Sequence, residues 1–146
     1  MNGPRQVFEY AVLQVVPRVE RGERFNAAVV LYCRQLDYLA IRAELDAARL
    51  HALDPAADPD PIRQALQAST QACAAASEAG RDARGQFFRW LTAPRSTVIQ
   101  PGPVHTGLTD DPAAEHERLM RLLVRPVGPV PPVGEKSDGK PAGGVG

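Results

Sequence analysis

Lysine is nearly missing from this chain, with two residues against fifteen arginines. Net charge is missing too, because 17 basic side chains are matched by 17 acidic ones. Nonspecific nucleic-acid binding neutralises several phosphates at once, and no basic block is present to do it. Nucleic acid is therefore not the expected partner. Cysteine is scarce: Cys33 and Cys73 form no CxxC pair or other metal-ligand spacing, and they read as buried, reduced thiols of a cytoplasmic protein. The three histidines, His51, His105 and His116, lack the HxxxH spacing of a metal helix, so no metal and no cofactor are expected. Phosphate loops of the types GxxxxGK[ST] and GxGxxG are absent, and no serine or cysteine sits in a nucleophile elbow, so no catalytic residue is assigned. The longest apolar run, Ala27 to Cys33, is far too short to cross a bilayer. The stretch MNGPRQVFEY lacks the apolar centre of a signal peptide, and no membrane role is expected.

What is present is alternation followed by helical spacing. The 146 residues suit one domain over 1–125 and a tail over 126–146, where 11 of 21 residues are proline or glycine. That composition cannot bury enough apolar surface to offset chain entropy, so the tail is expected to be disordered. Phe8 to Val16 is rich in aromatic and β-branched residues and is apolar on both parities, the pattern of a central strand covered on both faces. A second strand runs from Phe25 to about Arg34, and a third from Tyr38 to Leu45. Placing the apolar odd positions of both on one face predicts a three-residue loop from Gln35 to Asp37, with Arg34 opposite Tyr38. Asn26, Tyr32, Arg34, Tyr38, Arg42 and Glu44 would then share the opposite, polar face.

The remainder reads as mainly helical. Asp46 caps a short helix ending at Leu53. Asp60 and Pro61 open a longer one, with Ile62, Leu66, Ser69, Cys73 and Ala76 as its apolar stripe and Gly80 as its end. The segment GQFFRWLTAP is read as a short helix or turn with its aromatics in the core. Ser96 to Gln100 forms a short fourth strand, Val104 to Leu108 continues it irregularly, and Asp111 with Pro112 opens a last helix ending near Val124. The expected fold is α+β: a three- to four-stranded, mainly antiparallel sheet with helices packed on it.

Three stretches, EYAVLQVVPRVERGERFNAAVVLYCR, FFRWLTAPRSTVIQPGPV and a last helix ending LLV, carry a family resemblance. The chain resembles DUF3037, a bacterial family of uncharacterised function, over residues 8 to 124. The matching positions are Tyr10, Val12, Leu13, Val16, Pro17, Arg21, Gly22, Glu23 and Asn26. Where many members carry glycine two residues after the asparagine, this chain has Ala28. The resemblance implies no chemistry. It implies an accessory role, since members are often encoded near kinase-like proteins of the HipA type.

The candidate binding residues are Arg21, Glu23, Arg24, Asn26, Tyr32, Arg42, Arg95 and His105. Arg21 and Arg24 offer bidentate guanidiniums beside Gly22 in the charged loop from Arg18 to Arg24. Asn26 opens a strand, where asparagine is normally depleted, and either anchors the loop or presents its amide to a ligand. Arg95, Ser96, Thr97, His105, Thr106 and Asp110 flank the fourth strand. Two readings follow. In the first, a non-catalytic interaction domain binds a protein partner, a HipA-like kinase by family association. In the second, a small-ligand-binding protein or enzyme uses an Arg/Glu/Asn/His pocket, which requires Arg21, Glu23, Asn26, Arg95 and His105 to converge.

Overall fold

A computed structural model describes residues 3–128. Its centre is an antiparallel five-stranded sheet: β1 (Gln6–Val15), β2 (Phe25–Cys33), β3 (Tyr38–Ala43), β4 (Ile99–Pro101) and β5 (His105–Thr109). The order is β3-β2-β1, after which β4 and β5 both pair with the far side of β1, on its two halves. Four helices pack on it: α1 (Ala47–Leu53), α2 (Pro59–Glu78), α3 (Arg81–Leu91) and α4 (Pro112–Leu119), the last continuing as a π-helical turn over Met120–Val124. The sheet has one strand more than expected, because the segment read as irregular forms β5. Beyond Gly128, the proposed tail lies outside the described residues.

Three of the four helices, α1, α2 and α4, begin where a short acidic side chain serves the orphan amides. Asp46 accepts from Ala48 and Arg49, Asp58 from Asp60, and Asp111 from Ala114. Caps of this kind stabilise by about 1 kcal/mol each. The cap of α2 is Asp58 with Pro59, not Asp60 with Pro61; the same signature stands two residues earlier. Gly80, at φ 118°, lies between α2 and α3 in a conformation unfavourable for other residues.

Apolar side chains fill both faces. Ala11, Leu13, Val15, Val30, Leu39 and Ile41 meet Leu50, Ile62, Leu66, Cys73 and Phe88 on one face. Phe8, Val29, Leu31 and Cys33 meet Leu119, Met120 and Val124 on the other. β1 is central, as its pattern requires.

The hairpin register departs from expectation. Cys33 pairs with Tyr38 and Val30 with Ile41, giving a four-residue loop over 34–37. Parity could not decide this, because β2 is buried on both faces and either row of its side chains belongs inside. The extra loop residue is accommodated by Asp37 at φ 53°, a left-handed conformation that aspartate tolerates better than most residues. Leu39 and Ile41 therefore join Val30 and Tyr32 on the α2/α3 face. The polar face drawn from sequence does not exist as a unit: Tyr32 lies on one side of the sheet, while Asn26, Tyr38 and Arg42 lie on the other. A bulge completes the departure. Leu13 pairs with Ala28 and Gln14 with Asn26, leaving Ala27 unpaired, and Ala28 sits beside that irregularity.

Candidate functional site

An open groove of about 450 Å³ lies between the first turns of α2, the end of α3, the link over 94–98 and β4. Leu13 and Ile99 come from the sheet, Ile62 and Ala65 from α2, Leu91 from α3, and Arg95 and Val98 from the link. The volume is within the range of small-ligand sites, and the lining is mainly apolar. Beside it stands Trp90, 60% exposed. Helical geometry puts it there. Phe88 and Leu91 occupy the inner face of α3, and two residues on from Phe88 is about 200° around the helix. Arg95 lies over the Trp90 ring, 4.8 Å from its centroid. Its Nη2 donates to the Trp90 carbonyl at 2.5 Å and its Nε to the Ala93 carbonyl at 3.4 Å. The link is fixed to the sheet by the Val16 amide donating to the Val98 carbonyl at 2.7 Å. Val98 itself remains 40% exposed.

The residues selected from sequence do not converge on this groove. Arg21 and Glu23 pair with each other at 2.8 Å on the exposed loop, raising the guanidinium pKa and lowering that of the carboxyl. Arg24 donates to the Gly22 carbonyl at 3.1 Å and to Gln100 at 3.4 Å. Asn26 accepts from Gln14 and donates to the Leu123 carbonyl, both at 3.0 Å, so it ties the bulge to the turn after α4. Tyr32 is buried, its ring 5.3 Å from that of Phe88. Arg42 donates to Glu117 at 3.1 Å. His105 is exposed and stands opposite Tyr10, ring centroids 5.2 Å apart, on the α4 face. Only Arg95 lines the groove, on the α2/α3 face. The sheet thus separates Arg95 from His105, and the convergent Arg/Glu/Asn/His pocket is not formed.

Two groups with strongly displaced pKa values, Cys73 and His116, are inside the protein. Burial pushes the Cys73 thiol up to about 12 and lowers His116 to about 4. Burial also raises Tyr38. Around the root of the last turn, Arg125 bonds both Glu44, at 2.8 Å, and Glu117, which lies below its ordinary carboxylate range because of that hydrogen bond. Nine of the fifteen arginines lie within 3.7 Å of a carboxylate. Among the described residues, no group of three or more His, Cys, Asp or Glu is placed to hold a metal ion. No helix among them is long and apolar enough to cross a membrane.

Sequence reasoning missed Trp90 because it placed every aromatic of GQFFRWL in the core. The available signal was spacing: Phe88 and Leu91 form one helical stripe, and Phe87 and Trp90 a second that points elsewhere.

The family model for DUF3037, described as a protein of unknown function, matches residues 10–124. No curated protein and no solved structure matches the chain.

Proposed function

The chain belongs to DUF3037, and from that premise we propose that it is a non-catalytic accessory domain that docks a protein partner in the groove lined by Arg95 and Val98, beside Trp90. The observation that carries this reading is an exposed tryptophan beside a mainly apolar groove. Tryptophan and arginine are enriched among residues that dominate binding energy, and contiguous apolar surface on a small protein marks interaction sites. The chemistry of the interior supports the same reading. Cys73 is held as a thiol, and both His116 ring nitrogens are engaged in internal hydrogen bonds. The partner suggested by the family resemblance is a HipA-like kinase, and the buried free thiols of Cys33 and Cys73 suit a cytoplasmic setting.

The test is co-expression of the tagged chain with a HipA-like kinase from the same genome, followed by size-exclusion chromatography. Co-elution is expected, and it is expected to fail with Ala65→Glu, which places a charge on an exposed groove position without touching the core. Separate elution of the two proteins, or co-elution unaffected by Ala65→Glu, would overturn the proposal.

A further inference from the structure

We infer that the occupant of the groove is a linear, mainly apolar segment of the partner that brings one carboxylate to Arg95. This rests on reading the groove as a protein-docking surface and adds the chemistry of what docks there. A guanidinium carries five N–H donors. Arg95 uses one for the Ala93 carbonyl and one for the Trp90 carbonyl, leaving three. Among the described residues no carboxylate is within salt-bridge distance of it, whereas most arginines of this chain have one. Arg95 is also held in place: stacked on Trp90 and bonded to two carbonyls, it loses little further freedom on meeting an anion.

Apart from the Ser69 hydroxyl, the remaining walls offer few polar contacts. Pro61 and Pro101 have no backbone N–H to offer, and the Thr97 hydroxyl already donates to the Ile99 carbonyl at 2.6 Å. Leu13, Ile62, Leu91 and Ile99 supply an apolar floor. An occupant must therefore be apolar along the floor and anionic at one point, next to Arg95. A segment rather than a small acid fits the shape. Pro61, Ala65, Thr97 and Val98 are all exposed, so the groove is a surface trough and an enclosed ligand is not required to fill it.

The chain has one tryptophan, and it lies against Arg95, so its fluorescence reports a change at the Arg95 guanidinium. The probe is a panel of acetylated hexapeptide amides built from Leu, Val and Pro with a single Asp at each position in turn. Each is titrated against its Asn counterpart. At least one Asp peptide is expected to bind about tenfold more tightly than its Asn form, the scale of one charge-assisted hydrogen-bonded pair. That preference should vanish in Arg95→Gln and persist in part in Arg95→Lys, with thermal melts confirming that both variants fold. Equal binding of Asp and Asn forms, a preference that survives Arg95→Gln, or no fluorescence response across the panel would overturn the inference. Decanoate binding more tightly than every peptide would also overturn it, in favour of a small apolar acid. The co-elution experiment separates the two proposals: kinase binding lost with Ala65→Glu but intact with Arg95→Gln keeps the docking surface and removes the carboxylate.

Discussion

Tyr38 and His116, 78 residues apart in the chain, join the sheet to α4 through a 2.7 Å contact between the Tyr38 hydroxyl and His116 Nδ1. The other ring nitrogen, Nε2, lies 2.8 Å from the Val29 carbonyl. A carbonyl only accepts, so Nε2 carries the proton, Nδ1 is the acceptor, and the Tyr38 hydroxyl donates to it. His116 is fully buried and neutral in this arrangement. A proton added at Nδ1 would turn an acceptor into a second donor facing the phenol, and would place a charge where no water reaches.

The pH dependence of stability follows from that pair. Burial lowers the folded-state pKa of His116 from 6.5 to about 4. Above 6.5 the ring is neutral folded and unfolded, and pH does not affect its contribution. Between 6.5 and 4 the unfolded chain binds a proton that the folded protein does not, so stability falls as pH falls. The full loss is about 3 kcal/mol, as an order of magnitude. Urea midpoints measured at pH 7.0 and 4.5 should show most of it (approximate working pH values for that window). A flat midpoint across this window would mean that the ring is hydrated or charged in the folded protein.

Much of this was legible in the sequence, and the parts that were not have physical causes. The central position of β1 follows from Phe8 to Val16 being apolar on both parities, and the aspartate caps announce α1, α2 and α4. The register of β2 against β3 was not legible, because alternation carries information only when one face is wet, and Val29, Val30, Leu31 and Tyr32 are all buried. Asp37 at positive φ lets Arg34 join the loop, an extra residue that no count of apolar positions contains. That one residue moved Tyr32 to the opposite face from Arg42. Trp90 was missed for a different reason. Spacing separates the Phe88/Leu91 stripe from Trp90, and the neighbours of α3 decide that Phe88 and Leu91 take the inner face.

Asn26 holds the β2 bulge to the turn after α4 through two hydrogen bonds of opposite sense. Asn26→Ala should cost about 1–2 kcal/mol, because the Leu123 carbonyl and the Gln14 amide lose their partner in a half-buried site. Asn26→Asp should cost more at neutral pH, since a carboxylate oxygen replaces the donor facing the Leu123 carbonyl. Protonating that carboxyl restores a donor, so the gap between the two variants should narrow as pH falls. Chemical denaturation at two pH values measures it, and an aspartate variant as stable as wild type at pH 7 (a nominal neutral reference, about the usual assay value) would show that Asn26 is not an anchor.

Cys33 and Cys73 should be silent toward a disulfide reagent in the folded protein. Both are fully buried, the Cys33 thiol meets the Val7 carbonyl at 3.4 Å, and the Cys73 thiol is pushed up to about 12 by its surroundings. The thiolate is the reactive form, and burial removes both it and the path to it. In denaturant, both thiols should react. Labelling of either within minutes under native conditions would place α2 or β2 in frequent local opening.

Gly107 lies where β5 crosses the Phe8 ring, and a Cβ there would stand 2.7 Å from Phe8 Cε1 and Cζ. The ring has little room to retreat, being buried and stacked 6.0 Å from Tyr10. Gly107→Ala should therefore destabilise by about 1–3 kcal/mol, the usual cost of overpacking. Phe8→Leu removes the two atoms in conflict at the expense of some burial. If the conflict is the cause, the double variant should be little worse than Phe8→Leu alone, a coupling of about 1 kcal/mol or more in a double-mutant cycle. Strict additivity would instead mean that the alanine harms the backbone of β5 itself, and that the close approach of strand and ring is incidental to the pairing of β1 with β5.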